Sequence, residues 1–201
     1  SRTGGARSKE LTRTNDPART MAEILEVATR EFAAKGLAGA RIDEIASATR
    51  TSKRMIYYYF GSKDGLYLAV LEEAYRRMRS IEADLHLDDL PPQDALRSLV
   101  EFTYDHHRDN EDFIRLVMSE NIHRAEYLQR STTIRQLNVK AIDSIRGVYD
   151  RGVAQGVFRP GLDPVGTLVR AANWYAEVEP VVAIALTPAA EFGTFDAQIA
   201  N

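Results

Sequence analysis

Residues 51–66 read TSKRMIYYYFGSKDGL, a run in which Tyr57, Tyr58, Tyr59 and Phe60 sit between Lys53, Arg54 and Lys63. At roughly 100° per residue on a helix, three consecutive tyrosines fan across about 200° and cannot share one buried face. Residues 45–63 hold Arg50, Lys53, Arg54 and Lys63 and no acid. A short charge run by itself is usually a solvated face. Phenolic rings interleaved with cations suit a polyanion instead, because hydroxyls and ammonium or guanidinium groups both donate to phosphate oxygens. A second constellation is Glu120 and His123, three apart in ENIH, the ligand spacing of dinuclear carboxylate bundles. Such a centre needs that motif twice with two further glutamates, and it occurs once, so a helical-bundle metalloenzyme is carried only as a rival. Cysteine is absent, and so are a Gly-rich phosphate loop and a serine-nucleophile motif. No turnover and no cofactor are expected.

Charge is unevenly spread along the 201 residues. Residues 1–63 carry 12 Lys and Arg against 7 Asp and Glu, a balance of +5, whereas residues 64–201 carry 14 against 22, a balance of −8. The longest apolar run, VVAIAL at 181–186, is too short to span a bilayer. A soluble, cytoplasmic protein with no membrane partner is expected.

The elements that must position these residues are helical. Asp16 is a good N-cap, Pro17 fits the first helical position and Gly36 can close the helix. Residues 1–15 lack periodicity and are expected to form a basic arm. A short helix over RIDEIASAT and a third over SKRMIYYYF follow, the latter too short to stand alone in water. Three helices with a tight turn between the second and third is the plan of a helix-turn-helix reader. Ser62 caps a fourth helix expected to reach Leu85, with Pro91 and Pro92 stopping it. Beyond them the pattern predicts helices over 93–110, 111–130, 132–156 and, after Asp163–Pro164, 165–186. The fold class is all-α, with a reader over 16–63 and a larger helical unit over 64–201.

The stretch from Met21 to Leu71 resembles the DNA-binding domain of the TetR family of bacterial transcriptional regulators. The resemblance rests on the Ile45–Ala46 pair, Ser52, YYYF at 57–60 and SKDGL at 62–66. Two positions depart from the family pattern. Arg50 stands where a glycine commonly takes a left-handed turn, and Arg41 where a threonine usually caps the second helix; both add charge beside the DNA face. The spacing makes Ile56 and Phe60 core residues. The resemblance then implies that Ser52, Lys53, Arg54 and Met55 reach base edges, with Tyr58 toward a base or sugar edge. Tyr57 and Tyr59 would reach phosphates, and Lys63 would hold a phosphate at the start of the fourth helix.

The same resemblance implies a homodimer on a palindromic double-stranded operator and an unidentified small-molecule effector, most simply one that releases a repressor. Its pocket is expected near Phe102, Met118, Asn121, Ile122, Trp174 and Tyr175. Ordinary helix packing accounts for most of these side chains equally well. An interaction protein without operator binding is the remaining alternative, with Arg50 as its cause. The stripe Ile134, Leu137, Ala141, Ile145 and Val148, together with a 165–186 helix, is expected to form a four-helix bundle across the two-fold axis.

Overall fold

The computed structural model describes residues 16–166. Among them every regular element is helical: α1 Pro17–Gly39, α2 Ile42–Ala48, α3 Lys53–Phe60, α4 Lys63–Ala83, α5 Pro92–Asp109, α6 Glu111–Ile122, α7 Glu126–Arg130 and α8 Thr132–Ala154, with one 3-10 turn at Leu87–Asp89. The starts follow side-chain chemistry. Asp16 accepts from the backbone N–H groups of Ala18 and Arg19, Ser52 from Met55, Ser62 from Gly65 and Ser131 from Ile134. Gly36 takes φ 66° and kinks the end of α1, and Gly61 takes φ 75° to close α3.

Three expectations are corrected. α4 stops at Ala83 rather than Leu85, before the prolines, and His86 turns left-handed at φ 48° into the 3-10 turn. The single helix expected over 111–130 is broken at His123–Ala125, where Arg124 and Ala125 have φ of 57° and 56°. A buried carboxylate makes the break stable: Glu120 accepts from the N–H groups of Tyr127 and Leu128 at 3.0 and 3.1 Å, capping the first turn of α7. The third correction concerns α8. Ile134, Ala141 and Val148 are buried, and Leu137 and Ile145 pack on the core clusters, so the stripe expected to face a second subunit is used inside the protomer.

One apolar cluster runs from Ile24, Ala28 and Phe32 of α1 through Ile45, Ile56, Leu66, Tyr67, Val70 and Leu71 to Leu116, Val117 and Ile134. It passes residue 63 without interruption, because α4 lies against both α1 and α8. A smaller cluster of Leu87, Ala95, Leu99 and Val148 joins α5 to α8, and Phe102 packs against both clusters. No helix among the described residues is long and apolar enough to cross a membrane.

Candidate nucleic-acid interface and effector region

α3 has one closed face. Ile56 is fully buried, and Phe60 and Tyr59 pack half-buried against the core, with Tyr59 edge-on to both Tyr58 and Phe60 at 5.4 and 6.3 Å between centroids. The other face is open. Tyr58 is 78% and Tyr57 43% exposed, and Ser52, Lys53 and Arg54 are exposed at the N-terminal end. Met55 is half-buried, turned partly toward the protein rather than fully outward as expected.

The turn before α3 is held by the backbone: Thr51 N–H donates to Ala46 O at 3.1 Å, while Arg50 sits at φ 52°. A side chain therefore occupies the left-handed conformation where glycine is cheapest. Arg41 occupies the N-cap of α2 without a side-chain capping bond, and its N–H donates to Glu31 instead. Lys63 begins α4, and its Nζ donates to Ala38 O at 3.2 Å, tying α4 to the α1–α2 corner.

Two acids join this surface that a count along residues 45–63 does not reveal. Asp43 forms an ion pair with Lys53, and Glu44 pairs with Lys35. Among the described residues no ion pair holds Arg41, Arg50 or Arg54. The exposed cations at the turn and the start of α3 thus form a surface for phosphates and base edges, with Lys53 the one drawn toward an acid.

In the larger helical part, Phe102, Met118 and Asn121 are half-buried, whereas Ile122 is 76% exposed. Trp174 and Tyr175 lie outside the described residues. The rival metal pair does not assemble: Glu120 is buried and occupied by two backbone N–H groups, while His123 is exposed at the C-cap of α6. No group of three or more His, Cys, Asp or Glu among the described residues is placed to hold a metal ion.

The polar interior lies elsewhere. His106 and His107, consecutive on α5, are both buried, around a Phe113 ring stacked on His107 at 5.9 Å and edge-on to His106 at 5.2 Å. Burial holds both imidazoles below their ordinary range, His107 at about 4, with the Arg79 charge adding to the effect. Burial likewise pushes the Tyr75 hydroxyl up to about 12. Arg79 pairs with Glu82 and donates to Asn138 Oδ1 at 3.0 Å. Two adjacent histidines cannot lie on one stripe of a helix, so their joint burial depends on tertiary packing, with Phe113 of α6 against both rings.

Residues 24–70 match the family described as "Bacterial regulatory proteins, tetR family", and residues 92–173 the "Tetracyclin repressor-like, C-terminal domain". The chain is 36% identical over 155 residues to the HTH-type transcriptional repressor NicS of Pseudomonas putida, covering 77% of this chain and 70% of that one. It is 31% identical to the HTH-type transcriptional repressor SCO4008 of Streptomyces coelicolor, over 89% of each chain. The crystal structure of the putative transcriptional regulator SCO4942 from Streptomyces coelicolor superposes with a TM-score of 0.61 at 28% identity, covering 88% of both chains. An exposed α3 behind a tight turn, two family matches in tandem and these relatives agree, and the chain belongs to the TetR family of bacterial transcriptional regulators, DNA-binding proteins rather than enzymes.

Proposed function

We propose that this regulator is a repressor that binds a palindromic operator as a homodimer and leaves it when a small molecule enters the larger helical part. The observation that carries the reading is the asymmetry of α3, closed on Ile56 and open on Arg54 and Tyr58. Residues 16–63 serve as the reader, and 64–201 as the effector-binding and dimerising unit. α3 enters the major groove with Arg54 and Lys53 at base edges; Arg41, Arg50, Tyr57 and Tyr59 meet the flanking backbone. Lys63 exchanges the Ala38 carbonyl for a phosphate. One reader covers half a site, so a two-fold dimer is needed to match a palindrome. With the α8 stripe packed inside the protomer, the dimer contact falls to its remaining face and to the chain after residue 166. The names of NicS and SCO4008 support repression, and a DNA target makes the cytoplasm the proposed location.

The test is a gel-shift series on an operator selected from random DNA, with light scattering of the same samples. Arg54→Ala should relax base preference by about 1–3 kcal/mol at its position, and Lys63→Ala should weaken all sequences alike. A free protein scattering at the 22.5 kDa of one chain, or both variants losing affinity with identical sequence preference, contradicts the reading.

A further inference from the structure

The corner between α5 and α6 faces α1 and α4 across a groove of about 420 Å³. α1 contributes Glu26 and Arg30 to its wall and α4 contributes Glu73 and Arg77, two ion pairs contained within the wall. The corner contributes Asp109, Glu111 and Asp112 and no cation. Asp109 and Glu111 pair with Arg108 and Arg115, which do not line the groove. Five carboxylates therefore stand in the wall against two guanidinium groups. Their pairs are largely exposed to solvent, so each is weak and a bound cation can compete for it.

Asp112 has no such pair. It is half-buried in the first turn of α6, and among the described residues no ion pair or hydrogen bond holds its carboxylate. A charge drawn partly out of water is normally matched, and here the match is missing.

The inner end of the groove is aromatic and nearly closed to solvent. Phe113 is 7% and His106 9% exposed, with their rings edge-on at 5.2 Å. His106 Nδ1 is buried without a hydrogen-bond partner, which is rare for a polar atom sealed from water and marks a place where a partner is absent. Burial holds this imidazole below its ordinary range, so near pH 7 it is neutral and does not repel a cation. Arg79, whose charge acts on the same ring, is itself paired with Glu82.

We propose that this groove binds a small organic cation with a flat apolar body, its charged end at Asp112 and its ring against Phe113, and that its occupation is what releases the operator. The proposal rests on the reading of the chain as an effector-released regulator and gives the chemical class of that effector. Glu26 and Arg30 belong to the first helix of the reader, whereas Asp112 and Phe113 belong to the larger helical part. An occupant touches both, so its affinity depends on how one sits against the other. Operator and cation must then weaken each other by the same factor.

Calorimetry on the full chain at pH 7 compares benzamidine, benzamide and benzoate, three molecules of nearly one shape that are cationic, neutral and anionic. Benzamidine is expected to bind at least about tenfold more tightly than benzamide, and benzoate more weakly than either. Asp112→Asn, which keeps the size of the side chain, should bring benzamidine down toward benzamide while leaving benzamide unchanged. Equal affinity for the three, no saturable binding of benzamidine, or a preference for the cation undiminished in Asp112→Asn each overturns the site. Gel shifts with and without benzamidine read the second half: the operator complex should weaken, and operator should weaken benzamidine binding by an equal factor. Benzamidine bound as described beside an unchanged operator complex overturns the effector assignment. Failure to bind operator with no ligand present counts against the regulator reading instead, so the two failures are distinct.

Discussion

Arg50 and Lys53 stand three residues apart and their side chains have opposite constraints. Arg50 holds φ 52° with no ion pair, so its charge is free and its backbone is costly. Lys53 has ordinary helical backbone and shares its charge with Asp43. Left-handed conformation costs an L-residue roughly 1–2 kcal/mol, which glycine avoids. Arg50→Gly should therefore raise unfolding free energy by about 1 kcal/mol in urea while weakening DNA binding, most at low salt. A variant both more stable and undiminished in affinity would take Arg50 out of the DNA contact. Asp43→Asn should act the other way. Releasing Lys53 for its base-edge contact should raise affinity for the operator more than for unrelated DNA, so the specificity ratio at fixed salt widens. An unchanged ratio would mean that Lys53 leaves Asp43 without hindrance.

The position of α3 depends on its junction with α4. A Cβ on Gly65 would lie inside the van der Waals radius of the Phe60 carbonyl oxygen, the last residue of α3. The obstacle is backbone, which cannot swing aside as a side chain can. Gly65→Ala should cost about 1–3 kcal/mol of stability and at least tenfold in operator affinity, read by thermal melting and titration at a temperature where the variant is folded. Retained affinity would show that α3 is placed by the Ile56 core contact alone. Much at this scale was legible in the sequence, because Asp16, Gly36 and Ser62 act within a few residues of where they sit. The break before α7 was not, since Glu120 caps across a reversal seven and eight residues long. Nor was the fate of the α8 stripe, since periodicity marks a buried face without saying what buries it. Asp43 escaped a count along α3 because it lies on the preceding helix, and Arg79 meets His106 and His107 only through tertiary packing. Trp174 and Tyr175 lie beyond the described residues, so the expected pocket is represented here by Phe102, Met118 and Asn121, with Ile122 on the surface.

At the scale of the molecule, one core joins the reader to the larger helical part, from Ile24 and Phe32 through Leu66 and Tyr67 to Leu116 and Ile134. Loss of packing in one part is therefore felt in the other, and the described helices should unfold in a single transition. The buried histidines give that transition a pH dependence. Folded His107 stays neutral down to about 4, whereas the unfolded chain takes up its proton near the ordinary value of 6.5. Between those limits the unfolded state binds more protons, so stability rises with pH across the window, is level above it and loses nothing further from this group below it. The full effect is at most about 3 kcal/mol, and His106, shifted the same way, adds to it. Urea unfolding followed by circular dichroism from pH 4 to 8 should show this fall toward acid. His107→Gln should flatten it while leaving the midpoint at pH 8 less affected than that at pH 5. The reader should melt with the rest at every pH, which a probe on Tyr58 can follow from the exposed face of α3. A slope between pH 4 and 6.5 undiminished in His107→Gln would assign the acid sensitivity to His106 and the carboxylates, and a Tyr58 probe melting first would mean that the shared core does not couple α3 to the helices behind it.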